Sequence, residues 1–194
     1  MPAITVPTDQ LALGPGYLYW APLATAAPAN TVAGSVFTDA WSGGWIPLGA
    51  TDNGHELGYA LSVDEVEVEE YLDPIKYVTV KRVISVKFAG VQIGATAMKR
   101  AVNGGTITVT GTTATTLSKL SPVAVGQEVR AMIGWESSDF TERFVGYQAL
   151  QIGSLSIKRQ KGAAKATLDL EFKFEQPSAG TSPWDYWTAG AVRV

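Results

Sequence analysis

Strict alternation of polar and apolar side chains dominates the middle of the chain. From Leu61 onward Glu65, Glu67 and Glu69 fall on one face and Val66 and Val68 on the other, the period of two that marks a half-buried strand. A second run follows, in which Val78, Val80, Arg82, Ile84, Val86 and Phe88 share one face and Tyr77, Thr79, Lys81, Val83, Ser85 and Lys87 share the opposite one. Between them lies Tyr71-Leu72-Asp73-Pro74-Ile75. Pro74 has no amide donor and steers Asp73 away from helix, so these five residues are predicted to tip a long hairpin over 61–88. Pairing about Asp73 places Asp64 opposite Arg82, Glu65 opposite Lys81 and Glu70 opposite Lys76.

Charge follows the same division. Residues 52–73 hold eight acidic and no basic side chains, and residues 76–100 hold six basic and no acidic ones, so the two strands are opposite in sign. Cross-strand pairs contribute only about 0.2–1 kcal/mol each, and their use is to fix register. A hairpin with an apolar and a charged face needs two different neighbours.

Elsewhere the pattern is shorter. Residues 1–16 read as an irregular N-terminal arm ending at Gly14-Pro15-Gly16, and Tyr17 to Trp20 as a short strand stopped by Ala21-Pro22. Residues 21–44 form a long Ala/Thr/Pro/Asn/Gly-rich loop of the functional or mobile kind, and Trp45 to Leu48 resumes extended structure. A helix over 91–103 is predicted from Ile93, Ala97 and Ala101 at i, i+4 and i+8. It is closed by Asn103-Gly104-Gly105, with Lys99 and Arg100 complementing the dipole at its end. Strands follow at Thr106–Thr110, Val129–Trp135, Phe144–Leu150, Leu155–Ile157 and Leu168–Phe174, with a polar hairpin tip over Gln160–Lys165. The tail 178–194 is loop-like, yet Trp184, Tyr186 and Trp187 are costly to leave in water, so it is expected to dock. The whole is a mainly β chain, a sandwich or barrel with one flanking helix, in a single domain over 1–194.

Composition narrows what such a chain can do. Its 194 residues are 46% hydrophobic and 17% charged, enough to bury a core and against disorder. The formal net charge of -3 argues against tight nucleic-acid binding. Cysteine is absent, which excludes disulfides, thiolate metal sites and thiol catalysis. No apolar run is long enough for a spanning helix, and the first residues lack a signal-peptide pattern, so the expectation is a protein made in the cytoplasm without a membrane partner.

Candidate chemistry is sparse. His55 is the single histidine, with no second His or Cys to complete a zinc site, and Asp52 to Glu56 lacks the spacing of a calcium loop. Both read as a polar turn. Spacing alone leaves a glycosidase-like carboxylate pair open, but Glu65, Glu67 and Glu69 read more simply as a solvated or lumen-facing row. No phosphate loop, nucleophile pattern or cofactor site emerges, so no catalytic, metal or cofactor-binding residue is assigned. Six scattered tryptophans keep a carbohydrate-binding module in view.

One stretch carries more. Gly16-Tyr17-Leu18-Tyr19-Trp20-Ala21-Pro22, the Thr25 to Pro28 loop and Trp45-Ile46-Pro47-Leu48-Gly49-Ala50-Thr51-Asp52-Asn53-Gly54 resemble the N-terminal half of the major tail tube proteins of long-tailed, non-contractile bacteriophages. Ala24 and Asn53 stand where that family typically has Gly and Asp. The order of the remaining elements extends the similarity over nearly the whole chain. The resemblance implies a non-enzymatic virion protein, made in the host cytoplasm, that forms hexameric rings stacked into a tube. Its partners would be itself, other tail proteins at the tube ends, and double-stranded DNA in non-specific passage. It implies that the hairpin lines an inner barrel, with Glu65, Glu67, Glu69 and Lys81 as lumen-facing candidates. The tip Tyr71, Leu72, Asp73, Pro74 and Ile75 would reach the next ring, and Trp184, Tyr186 and Trp187 would dock the tail. The alternative is another β-sandwich virion module, for capsid decoration, receptor binding or carbohydrate binding.

Overall fold

The architecture is available as a computed structural model that describes residues 16–67, 73–112, 115–158 and 166–190. In chain order the elements are β1 (Gly16–Pro22), β2 (Val32–Ala33), β3 (Val36–Phe37), β4 (Ile46–Pro47), β5 (Thr51–Val66) and β6 (Lys76–Gly90), then α1 (Ala95–Ala101), β7 (Thr106–Thr110) and β8 (Leu117–Ser121). They continue with β9 (Ala131–Ser137), β10 (Glu142–Gln151), β11 (Ser156–Lys158), β12 (Thr167–Phe174) and β13 (Trp184–Thr188). Strand accounts for 53% of the residues and helix for 4%, the mainly β class with one helix that the alternation implied.

One antiparallel sheet runs β4-β1-β9-β10-β12-β6-β5. Its centre, β10, divides its free edge between two partners: Glu142 to Gly146 pair with β13 and Ala149 to Gln151 with β12. A bulge between Gly146 and Ala149 separates the two stretches. β9 and β10 carry an apolar layer on each side. Leu18, Ile133, Phe144 and Phe172 gather on one side with Ala101 of α1, and Ala21, Met132, Val145 and Trp45 gather on the other. Strands buried on both faces lose their alternation, which is why β9 and β10 read as apolar runs.

The second layer is covered by residues 23–45. The stretch expected as a long loop over 21–44 gives its first two residues to β1 and holds the small β2–β3 hairpin. Trp41 stacks on Tyr19 at 4.4 Å and meets Trp45 edge-on at 4.7 Å. Gly134 makes room for it, since a Cβ there would lie 2.1 Å from the Trp41 ring.

Three expectations need correction. The helix spans Ala95–Ala101 rather than 91–103, because the Val91 amide still donates to the Ala50 carbonyl and Gly94 is extended. Its end is as expected: the Gly104 amide bonds Lys99 and the Asn103 amide bonds Arg100, with Asn103 left-handed at φ 54°. The hairpin is longer at its root, starting at Thr51, so His55 lies within β5 and not in a turn. The register also differs: Asp64 faces Val78, Glu65 faces Tyr77, Lys81 faces Ser62 and Arg82 faces Leu61. Two features cause the shift. The Ile75 amide donates to the Val66 carbonyl at 2.9 Å, so Pro74 sits at the end of the connection and not at its apex. Val80 is an extra residue, bulged between the pairs Ser62–Lys81 and Val63–Thr79.

Candidate functional site

The β5–β6 hairpin is the feature that its own domain does not use up. At its root Ile84, Val86 and Phe88 are buried, and from Lys76 to Arg82 every residue of β6 is exposed. Directly opposed residues of an antiparallel pair share a face, so His55, Leu57, Tyr59 and Leu61 lie with Phe88, Val86, Ile84 and Arg82. This face begins as core and leaves the body as an exposed apolar row, with Leu57 46%, Tyr59 55% and Leu61 51% accessible. A cavity of about 410 Å³ at its root is lined by Leu57, Tyr59, Ile84, Phe144 and Trp184. The opposite face carries most of the charge: Glu56 lies across from Lys87, Gly58 from Ser85 and Ser62 from Lys81, with Ala60 across from Val83 between them and Asp64–Val78 and Val66–Lys76 further out.

The candidates named from sequence divide over these faces. Lys81 belongs to the polar face, whereas Glu65 follows Leu61 and Val63 on the apolar one, beside Tyr77. Glu67 is exposed just beyond β5, and Glu69 lies outside the described residues. At the tip Asp73 and Ile75 are exposed and Pro74 half-buried, while Tyr71 and Leu72 lie outside the described residues, as do the predicted 160–165 tip and most of the N-terminal arm. Trp184, Tyr186 and Trp187 are in β13, paired along β10 at Gly146, Phe144 and Arg143. Trp184 stacks on Phe144 at 5.8 Å, and Asp185 beside it accepts a 2.6 Å hydrogen bond from the Tyr147 hydroxyl. Burial and that carboxylate keep the Tyr147 hydroxyl protonated well above the usual tyrosine range.

A buried ion pair was missed by sequence reasoning. Arg143, 1% exposed, donates through Nε to Glu136 Oε1 at 2.6 Å. Its other nitrogens bond the Asn30 side chain at 3.3 Å and the Asp39 carbonyl, and its guanidinium lies 4.7 Å from the Phe37 ring centre. One side chain thus pins the 21–44 segment to the sheet.

His55 is half-buried within β5. Its ring sits 5.0 Å from that of Trp135 in a cavity of about 220 Å³ also lined by Glu142, Phe144 and Tyr186. Burial lowers its pKa from 6.5. Just below pH 6.5 the unfolded chain therefore binds more protons than the folded one, and stability is lost as the pH drops; above it the contribution of the neutral ring is intact. The expected result is that wild type loses more stability than His55→Gln between pH 7 and pH 5 in thermal unfolding. An unchanged difference between the two proteins would contradict it.

Among the described residues no three His, Asp or Glu side chains converge on a possible metal position, and no helix is long and apolar enough to cross a membrane. What the arrangement offers is surface: a 16-residue strand, β5, that ends the sheet order and pairs with β6 alone among the described residues. A family model described as "Phage tail tube protein" matches residues 7–188 of the chain. No curated protein matches it.

Proposed function

We propose a function from one premise: the chain belongs to the phage tail tube protein family, and so is a structural protein of the virion tail that assembles with itself and with other tail components. In our reading, copies form hexameric rings that stack into a tube, synthesised in the host cytoplasm, through which DNA passes on ejection.

The observation that carries this reading is the β5 edge, unpaired among the described residues, with its exposed row Leu57, Tyr59, Leu61 and Val63. An edge strand of this length with apolar side chains is an aggregation hazard in a monomer and an assembly surface in a polymer. A neighbouring hairpin laid against it would extend the sheet from subunit to subunit, and the apolar row would be covered by the neighbour's body. The polar face would then turn to the channel. On it Glu56, Asp64, Asp169 and Glu171 are interleaved with Lys76, Lys81, Lys87 and Lys173. Such a wall is balanced in sign, so phosphates meet little net attraction and DNA slides rather than binds. Lys81 belongs to this wall, while Glu65, on the other face, would be covered by a neighbour.

The test is electron microscopy of the purified chain, with tubes expected. Leu61→Lys combined with Val63→Lys should abolish them while shifting stability by no more than about 1 kcal/mol, since both side chains are already half in water. Normal tubes from this variant would refute the role of the row.

A further inference from the structure

The end of α1 overhangs a cavity of about 390 Å³ whose floor is apolar, with Trp20, Ile46, Val123, Val129 and Phe172 among its walls. Lys99 and Arg100 stand at its rim, and no carboxylate lines it. Among the described residues none comes within ion-pair distance of either cation. The Arg100 guanidinium lies 5.3 Å from the centre of the Trp20 ring and is partly desolvated, which lowers its pKa. A half-buried cation without a counter-charge is an unfavourable arrangement that an incoming carboxylate relieves. The cavity is built firmly: Asn103 bonds the backbone of Gln151 through both atoms of its amide, at 2.7 and 2.9 Å, and its carbonyl accepts from the Val129 amide.

A complementary surface exists at the far end of β6. That strand begins at Lys76, beside the hairpin tip, and ends at Gly90, four residues before α1, so tip and helix lie at opposite ends of one strand. Ile75 is 56% exposed, although it is a large apolar side chain, and Asp73 stands two residues before it. Glu65 and Glu67 flank the same end across the hairpin and, with Asp73, outnumber its one cation, Lys76, so the end is net negative.

Resting on the tube reading above, we propose that the cavity under the end of α1 is the receptor for the hairpin tip of a second copy, with Ile75 seated over Phe172 and Val129 and Asp73 paired with Arg100 and Lys99. A surface at one end of the molecule that receives the other end is a heterologous contact. Contacts of this kind do not close on themselves when repeated along an axis, and they generate filaments. The occupant is a copy of this chain because the family assembles with itself and the charges of tip and rim are opposite.

The absence of native cysteine makes the test clean. Ile75→Cys chains mixed with Val129→Cys chains and assembled under mild oxidation should give a covalent dimer on a non-reducing gel, and either chain alone should give none. A dimer from Ile75→Cys alone would mean that tips meet tips, and would overturn the proposal. So would tubes that form normally without any cross-link. Charge reversal supplies a second reading without cysteine. Arg100→Asp or Asp73→Arg should each raise the concentration needed for assembly at least tenfold, and the two together should restore it in part. If both single variants assemble as wild type does, the tip docks elsewhere and the tube reading stands. If the unmodified chain makes no tubes, that reading fails and this proposal fails with it.

Discussion

Arg143→Ala is expected to destabilise the folded chain by about 3–5 kcal/mol, because it leaves the Glu136 carboxylate buried without its counter-charge. The side chains of the pair are 1% and 4% exposed, so water cannot replace the lost guanidinium. The loss spreads further, since the Asp39 carbonyl and the Asn30 side chain lose their donor and Phe37 loses the cation that covers it. Urea unfolding measures the effect, and for a chain of this length each kcal/mol corresponds to roughly 2–4 °C in the thermal midpoint. Arg143→Met together with Glu136→Met separates charge from packing. Removing both partners leaves no orphaned charge, so the double variant should recover much of the loss. A drop below about 1 kcal/mol for the single variant would mean that Glu136 is rehydrated and the 21–44 segment is not held by this contact.

Phe172→Ala should be comparably severe, about 3–5 kcal/mol. Phe172 is 1% exposed in the middle of β12, between Val86 of β6 and Gln151 of β10, with its ring 6.1 Å from that of Phe88. It also closes the floor of the cavity under α1. Truncation would join that cavity to the core, and the strands on either side, fixed by their hydrogen bonds, cannot close the gap. Phe172→Leu keeps most of the volume and should lose less than about 1.5 kcal/mol. Similar losses for the two variants would show that the ring's packing against Phe88 matters more than the volume it fills.

The parts of this fold that were legible in the sequence are those with one wet face. β12 alternates Leu168, Leu170 and Phe172 with Asp169, Glu171 and Lys173, and its span was visible to within a residue. The two hairpin strands were visible for the same reason, but their register was not. One bulged residue, Val80, breaks the parity of β6, and the backbone bond from Ile75 to Val66 moves the turn away from Asp73. Neither leaves a mark in composition. β2, β3 and β8 lacked a readable period or sufficient length, and β13 becomes a strand because β10 offers it half an edge. The Glu136–Arg143 pair could have been found. The two charges stand symmetrically about the turn at Ser138-Asp139-Phe140-Thr141, which is the register of the β9–β10 hairpin.

Val80 bears on a different matter, how far the exposed apolar row runs towards the tip. Without the bulge, the register of the root would carry straight on, with Val80 opposite Val63 and Val78 opposite Glu65. Val78 and Val80 would then prolong the row of Leu57, Tyr59, Leu61 and Val63 almost to the tip. With the bulge, Val78 turns to the side of Asp64 and Lys76, while Val63 and Glu65 sit beside Thr79 and Tyr77. Each side of the outer arm is thereby mixed, and the unbroken apolar row stops at Val63. Chains that meet through their outer arms therefore present separate apolar side chains, Ile75, Val78 and Val80 among them, set between charged ones rather than a continuous strip. On the tube reading, the continuous strip is covered only when partners approach in the orientation that lays one body against the other.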